Sequence, residues 1–251
     1  MMIFTIAGRE LRSLFLSPLA WTILGVVQFI YAYLFLSQVD TFLALQSRLA
    51  TLDGAPGVVD IVVAPLFANA AVLLLLITPL ITMRVLSEER RNHTLSLLFS
   101  APISMTEIIV GKYLGVLSFI LILIGMLALM PLSLMVGTDL DLGKFAAGLL
   151  GLTLVVSAFT AIGIFMSSLT EQPTIAAIST FGLLLLLWIL DWAGSTGMPS
   201  SGLLGYLSVL HHYEPLLKGL FSSVDVIYYL LIIILFLVFS IRRLDADRLQ
   251  H

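Results

Sequence analysis

Residues 87–112, SEERRNHTLSLLFSAPISMTEIIVGK, form a charged insert between two long apolar segments, 62–83 and 113–136. The insert opens with a run of four charged residues, Glu88, Glu89, Arg90 and Arg91. A short polar hairpin would be enough to reverse the chain between two apolar segments. The length and the amphipathic pattern of the insert instead predict a helix that lies parallel to a membrane and faces the aqueous side.

The composition of the chain indicates an integral membrane protein. Its 251 residues are 60% hydrophobic and 11% charged, whereas ordinary soluble domains contain roughly 25% charged residues. Cysteine is absent, which excludes a disulfide framework and a thiolate metal site in this chain. A net charge of -3 does not favour binding to nucleic acid.

Six apolar segments are long enough, or nearly so, to cross a membrane. A spanning helix needs about 20 mostly apolar residues, because the hydrocarbon core is about 30 Å thick. The predicted spans are residues 19–36, 62–83, 113–136, 145–169, 173–190 and 224–241. The fourth and fifth form a tight hairpin, since Pro173 suits a first helical position. The sequence therefore predicts an all-α polytopic membrane protein with a single transmembrane domain over residues 1–251.

Basic residues are distributed unequally between the two sides of the predicted bundle. The side with both termini receives nine of them, and the opposite side receives three, Arg48, Lys144 and Lys218. The positive-inside rule therefore places both termini and the insert in the cytoplasm. A cleaved signal peptide is the alternative for the N-terminus, but the first apolar run is long and no small-residue cleavage site follows it.

Residues 2–15 are predicted to form an interfacial amphipathic helix. One arc of the helical wheel is apolar, with Ile3, Phe4, Ala7, Leu11, Leu14 and Phe15. Ser17-Pro18 marks the bend into the first span, because the residue before proline is disfavoured in helical geometry. This helix is interpreted either as a generic membrane anchor or as a contact for a partner protein.

Within the insert, the pattern predicts one helix over residues 88–100 that ends at Ala101-Pro102. Ser104 or Thr106 would cap the next helix, with Glu107 in its first turn. The alternative is a solvated loop that only obeys the positive-inside rule. Two glutamates at the start of a basic segment argue against that loop, so we favour a docking helix.

The outer segment 193–223 is too interrupted to span and too apolar for a solvated loop. It predicts short re-entrant helices before the sixth span. His211, His212 and Glu214 suggest a metal site, but adjacent helical side chains point about 100° apart. We predict no metal there, and the role of these residues stays open.

Several groups of residues resemble the permease subunit of type 2 ATP-binding-cassette (ABC) exporters. The groups after the second span are Glu89-Arg90-Arg91, Thr94-Leu95, Leu98, Pro102-Ile103, Glu107-Ile108 and Gly111-Lys112. Within that family, the gliding-motility (GldF-like) branch typically carries a similar histidine-aromatic pair, glycine and aspartate before the last span. The corresponding residues are His212-Tyr213, Gly219, Asp225 and Tyr228-Tyr229, with tyrosine at 213 where phenylalanine is usual. The resemblance covers nearly the whole chain.

The resemblance implies a permease in a bacterial inner membrane that pairs with a second copy or a sister subunit, above cytoplasmic ABC ATPase subunits. The insert 87–112 would then be the coupling region after the second span. Its candidate coupling residues are Glu88, Glu89, Arg90, Arg91, Thr94, Leu95, Leu98 and Pro102. The sequence contains no G-x-x-x-x-G-K-[ST] motif, so we predict no catalytic residue, cofactor or metal, and no enzyme activity of its own.

Apart from Asp225 at the start of the sixth, the predicted spans contain no Asp, Glu, Lys or Arg, which argues against an ion-coupled transporter or an intramembrane enzyme. Gln28, Asn69 and Thr180 are among the few polar side chains available to a pathway or dimer interface formed by the first, second and fifth spans. An uncharged pathway suits an amphiphilic or polymeric cargo, whose identity the sequence does not show. It also does not distinguish a homodimer from a heterodimer. The alternative function is a membrane scaffold that recruits a cytoplasmic complex without transport.

Overall fold

A computed structural model describes residues 2–49, 56–94, 103–138, 140–195 and 206–248. Within these ranges the chain is helical and contains no strand. The helices are α1 (Met2–Leu16), α2 (Pro18–Leu49), α3 (Ala64–Thr82), α4 (Ser87–Arg91), α5 (Met105–Leu132), α6 (Leu142–Leu169), α7 (Pro173–Ser195), α8 (Val209–Leu217) and α9 (Ser223–Arg248). A π-helical turn, Val59–Val63, leads into α3, and a 3-10 turn, Ser133–Val136, follows α5.

Six helical segments in the described chain are long and apolar enough to cross a membrane, which confirms the predicted six-span, all-α class. They are Pro18–Gln46, Val59–Arg91, Met105–Val136, Leu142–Leu169, Pro173–Leu190 and Ser223–Arg248. The first and last spanning helices, α2 and α9, continue well past the C-terminal ends of the predicted spans 19–36 and 224–241. Apolar runs mark only the part of a helix that suits hydrocarbon, and polar residues can continue the same helix into water.

Two helices, α3 and α6, form the centre of the bundle. A Cβ added at Gly163 of α6 would lie 2.2 Å from Oγ1 of Thr82, and one at Gly148 would lie 3.0 Å from the ring of Phe67. Small residues let helices approach closely in lipid, where burial of apolar surface provides little net drive. Around this pair, α2 and α7 pack against α3, and α5 and α9 pack against α6.

The helix predicted over residues 88–100 is interrupted, which corrects that expectation. The helix α4 ends at Arg91, and His93 adopts a left-handed conformation with φ 54°. The His93 N–H donates to the Arg90 carbonyl at 3.1 Å, and the Thr94 N–H donates to the Glu89 carbonyl at 3.0 Å. These two bonds form a Schellman motif, which satisfies the last carbonyls of a helix and stops it. Residues 95–102 lie outside the described residues.

The start of α5 is set by a capping box. The Ser104 hydroxyl accepts from the Glu107 N–H at 3.2 Å, and the Ser104 N–H donates to Oε2 of Glu107 at 3.1 Å. Ser104, rather than Thr106, is therefore the N-cap, because a glutamate three residues later can bond back to the capping residue. From this start α5 runs without interruption through Lys112 into the third span.

Before the sixth span the structure describes one short helix, α8. Its N-cap is Ser208, whose hydroxyl accepts from the His211 N–H at 3.3 Å. The chain leaves α8 through Gly219, which has φ +80°, a conformation that glycine adopts without steric cost. Residues 196–205 of the predicted re-entrant segment lie outside the described residues.

Candidate functional site

One buried lysine joins three elements at the end of the bundle that carries α1, α4 and the C-terminal part of α9, here called the termini side. Lys112 lies near the start of α5 and is 1% exposed. Its Nζ donates to Oε1 of Glu89 at 2.7 Å, to the carbonyl of Val85 at 3.0 Å and to Oε2 of Glu10 at 3.3 Å. An ammonium group has three donors, and these acceptors use all of them. Glu10, Val85, Glu89 and Lys112 form the Lys112 cluster.

Two glycines on α5 let α1 come close enough for Glu10 to reach Lys112. A Cβ added at Gly111 would lie 2.7 Å from Cβ of Ile6, and one at Gly115 would lie 2.7 Å from Cβ of Glu10. Glycines four residues apart lie on one face of a helix. They leave a groove on α5 in which α1 packs, so the N-terminal helix is docked on the bundle.

A serine on α6 holds the turn between α3 and α4. The Ser167 hydroxyl accepts from the N–H groups of Leu86 and Ser87, both at 3.1 Å, and donates to the Met83 carbonyl at 3.0 Å. This hydroxyl is fully buried. It satisfies backbone groups that the end of α3 and the start of α4 would otherwise leave without partners.

The C-terminal helix also contacts α4. Arg90 forms an ion pair with Asp247 on α9, and Arg243 lies 3.7 Å from the same carboxylate. The Arg90 and Asp247 side chains are largely buried, with 12% and 14% exposed. The short helix α4 is therefore bound to α5 through Glu89, to α6 through Ser167 and to α9 through Arg90.

The structure divides the four charged residues among the predicted coupling residues into two pairs. Glu89 and Arg90 point into the chain, while Glu88 and Arg91 are exposed on α4. The Thr94 hydroxyl donates to the Glu89 carbonyl at 3.2 Å and supports the end of α4. The remaining three, Leu95, Leu98 and Pro102, lie outside the described residues.

Sequence reasoning missed Glu10, Ser167 and Asp247. Glu10 had a visible signal, since it is the one acidic residue in a helix whose other charged residues, Arg9 and Arg12, are basic. Ser167 had none, because hydroxyl side chains are common in spans and usually bond to their own helix. Asp247 lies 157 residues from Arg90, and no local pattern joins two residues so far apart.

The three predicted pathway residues lie in different environments. Asn69 is exposed on α3. Gln28 donates from Nε2 to the Leu123 carbonyl at 3.0 Å, and its Oε1 is buried without a partner in the described chain. Thr180 is fully buried, and its hydroxyl donates to the Ala176 carbonyl at 2.7 Å. In the single chain Asn69 is therefore exposed, Gln28 is half-buried and Thr180 is buried.

Asn69 belongs to an exposed stripe on the otherwise buried helix α3. The stripe continues toward the termini side through Val72, Leu76 and Leu80, and the exposed Arg84 follows just after the end of α3. The helices that pack against α3 on its other faces include α2 and α7. Gly25 on α2 and Gly182 on α7 are themselves exposed, with open space where a Cβ would be.

The opposite end of the bundle is held by polar contacts around α8. Nδ1 of His212 lies 2.7 Å from Oδ1 of Asp225 on α9, and its ring stacks on Tyr228 with centroids 4.0 Å apart. The Tyr213 hydroxyl donates to the Phe67 carbonyl at 3.0 Å. Burial, and to a smaller degree the nearby Tyr31, raises the pKa of the Tyr213 phenol well above its usual value, so this donor keeps its proton.

No cluster of three or more His, Asp or Glu side chains in the described ranges is arranged to hold a metal ion. His212 bonds to Asp225, and its Nε2 lies 3.1 Å from the Tyr206 carbonyl. Glu214 pairs with Lys218 at 3.3 Å. On the same side, Nζ of Lys144 lies 2.9 Å from both carboxylate oxygens of Asp60. The His212 and Lys144 contacts connect different elements of the chain, and the Glu214–Lys218 pair is local to the end of α8.

Together, the six apolar helices define a multi-pass membrane protein. The sequence model of the family described as ABC-2 family transporter protein matches residues 4–249. The chain therefore belongs to that family. It is an ABC-2 type permease, the transport subunit of an ABC exporter, and such subunits generally work with an ABC ATPase. A search of curated proteins finds no match.

Proposed function

We propose that this permease couples ATP hydrolysis by separate cytoplasmic ATPase subunits to the export of an amphiphilic or polymeric substrate across a bacterial inner membrane. Both termini would lie in the cytoplasm, as the nine basic residues on the termini side favour. The finer assignment, to the gliding-motility branch, is supported by the motif from His212 to Tyr229. The family match shows the permease class, and the orientation, the branch and the substrate class are proposed in addition to it.

The observation that carries the coupling proposal is the Lys112 cluster. The helix α4 lies directly after the second span, and Glu89 is bound to Lys112 at the start of the third span. Lys112 is in turn bound to Glu10 on α1. A force on α4 therefore acts on α1 and α5 together, because the three cannot separate without leaving buried charges unpaired.

The surface that would bind the ATPase is the exposed face of α4 and the segment after it. Glu88 and Arg91 are exposed there. Glu89 and Arg90, which the sequence suggested as partner contacts, already have partners within the chain. We propose that they position α4 and that Glu88 and Arg91 make the contact. Leu95, Leu98 and Pro102 remain candidates for the same contact on sequence grounds.

We propose that two permeases pair through the first, second and fifth spans. In a single chain α3 and α6 are packed closely, so the centre of one bundle contains little room for a route. The exposed stripe of α3 and the open glycines of α2 and α7 provide a surface on which another bundle could approach closely in lipid. A pathway between two copies would then run along α3 past Asn69, with Gln28 and Thr180 behind it.

The proposal is tested by purifying the full chain with an ABC ATPase from the same cell. An exporter requires that the ATPase copurifies and that its hydrolysis rate depends on the permease. The scaffold alternative requires copurification with a hydrolysis rate that is the same with and without the permease. A permease that binds no ATPase would contradict the proposed coupling.

A further inference from the structure

A cavity lies on the termini side where α1, α2, α3 and α4 meet. Its volume is about 120 Å³, which is room for several water molecules or a small polar headgroup. Its polar lining consists of Glu10, Ser13, Ser17, Arg84 and Glu88. The cavity lies at the end of the exposed stripe of α3, since both Leu80 and Arg84 belong to its wall.

A tryptophan beside the cavity indicates the level in the membrane at which the cavity lies. Trp21, next to the cavity residue Ala20, is 61% exposed, and its Nε1 donates to the Phe15 carbonyl at 2.8 Å. Exposed tryptophans on spanning helices are enriched at the boundary between hydrocarbon and headgroups. The deeper wall is apolar, with Leu19, Ile23, Leu80 and Phe119. The cavity thus joins a charged rim to an apolar wall at headgroup level.

The side chains around the rim carry charges of both signs, and some of them have no partner within the described part of the chain. Neither the Arg84 nor the Glu88 side chain has a hydrogen-bond or ion-pair partner in the part of the chain that the structure describes. Glu10 gives one carboxylate oxygen to Lys112. A simple anion would be repelled by the two carboxylates of Glu10 and Glu88, and a simple cation would be repelled by the Arg84 guanidinium. A ligand with both charges can bond to all three groups.

We propose that this cavity binds the headgroup of a membrane phospholipid that carries a phosphate and a primary amine, as phosphatidylethanolamine does. The phosphate bonds to Arg84 and the serine hydroxyls, and the ammonium group donates to Glu10 and Glu88. An acyl chain follows the apolar wall toward the exposed stripe of α3. A quaternary amine has no N–H to donate, so phosphatidylcholine satisfies the carboxylates less well.

This site has a direct connection to the Lys112 cluster, because Glu10 belongs to both. An ammonium group near Glu10 therefore changes the electrostatics of the contact between α1 and α5. The lipid site requires only the single chain and its membrane. Glu88 belongs both to this site and to the proposed ATPase contact, so lipid binding is measured in the absence of the ATPase.

The test uses the full-length permease, purified without an ATPase and reconstituted in detergent with one synthetic lipid at a time. Native mass spectrometry measures retention of phosphatidylethanolamine, phosphatidylglycerol and phosphatidylcholine with identical acyl chains. We expect the wild type to prefer phosphatidylethanolamine. The R84Q/E88Q variant should retain it at least about tenfold more weakly, since it removes two charge-assisted contacts with the headgroup.

The matched control is R12Q, which removes an exposed basic residue of α1 outside the cavity and should retain the lipid as the wild type does. If R84Q/E88Q does not fold, as judged by its melting profile, the single E88Q variant is used and should lose the preference for phosphatidylethanolamine over phosphatidylcholine. Equal retention of the three lipids by the wild type, or unchanged retention by the cavity variant, would overturn the proposal. Neither result would affect the ATPase test of the export function.

Discussion

Glu89 and Lys112, 23 residues apart in the chain, meet at 2.7 Å where α4 contacts the start of α5. The sequence assigns Glu89 to contact with a partner protein, and in the structure its carboxylate is bonded to Lys112 within the chain. Glu10 approaches the same ammonium group from α1. The helices α1, α4 and α5 meet at the start of the third span and are thereby joined through one buried ammonium group.

Replacing Lys112 with methionine should destabilise the protein strongly. The change removes the ammonium group that bonds to both Glu10 and Glu89 and leaves Glu89 only the exposed Arg9 at 3.8 Å. Removal of one partner from a buried ion pair costs on the order of 3–5 kcal/mol. The measurement is thermal or denaturant unfolding of the purified chain in detergent. The control is K218A, which breaks an exposed pair with Glu214 and should have little effect.

The double variant E89Q/K112M gives a second reading of the same cluster. Because the two residues are in contact, the loss of stability should be smaller than the sum of the two single losses. A K112M protein as stable as the wild type would show that the cluster does not hold these helices together.

Reversing the exposed charges of α4, in the variant E88R/R91E, should weaken binding of the ATPase while the permease keeps its stability. Exposed interface charges mainly affect the rate and the salt dependence of association, so we expect weaker assembly that varies with ionic strength. Pull-down of the ATPase at low and high salt measures this. Normal assembly, with normal ATPase stimulation, would mean that α4 does not contact the partner through these residues.

Introducing leucine at Gly25 or Gly182 should disrupt pairing of two permeases and leave the single chain folded. Both positions are exposed, and a Cβ added at either one has no other atom within 4 Å, so the leucine side chain would extend from an open face of its own bundle. It would hinder the close approach of a second one. Chemical crosslinking in membranes measures the fraction of dimer.

The matched control is G125L on α5, where the glycine is exposed and open in the same way but belongs to a span that we place outside the interface. Cysteines on the exposed faces of α2 and α7 should crosslink between copies, and a cysteine at Ile234 on α9 should not. Efficient crosslinking through α9 alone would show that the bundle faces the other way.

Thiol labelling tests the proposed orientation, since the chain contains no cysteine of its own. An impermeant reagent added to intact cells should label Asp53→Cys and should not label His93→Cys. Permeabilised cells, in which both should react, provide the control. Protection of Asp53→Cys in intact cells would exclude the six-span topology with cytoplasmic termini.

Much of the fold could be predicted because the bilayer acts as a strong and simple solvent. The length of an apolar run, the unequal distribution of basic residues and the proline at Pro173 are local features, and each has a direct physical meaning. The capping of α5 was also predictable to within two residues, since Ser104 and Glu107 carry the signature of a capping box.

The candidate site was less predictable, because side-chain direction depends on contacts between distant segments. The sequence does not show which of the four consecutive charged residues, Glu88 to Arg91, bond within the chain and which are exposed. In the structure Glu89 and Arg90 bond to Lys112 and Asp247, and Glu88 and Arg91 remain exposed. The helix also stops at Arg91, where local hydrogen bonds at His93 and Thr94 override the amphipathic pattern that extends further.

The sequence by itself determined the class of this protein, its six spans and the segment that lies between the second and third. Hydrocarbon imposes these through composition and length alone. Only the tertiary structure decided that α1 docks on the glycines of α5, that Glu10 completes the bonds of Lys112, and that Arg90 reaches Asp247. Those contacts depend on the positions of helices that the sequence separates widely, and in a membrane they are set by close packing and by the need to pair buried charges.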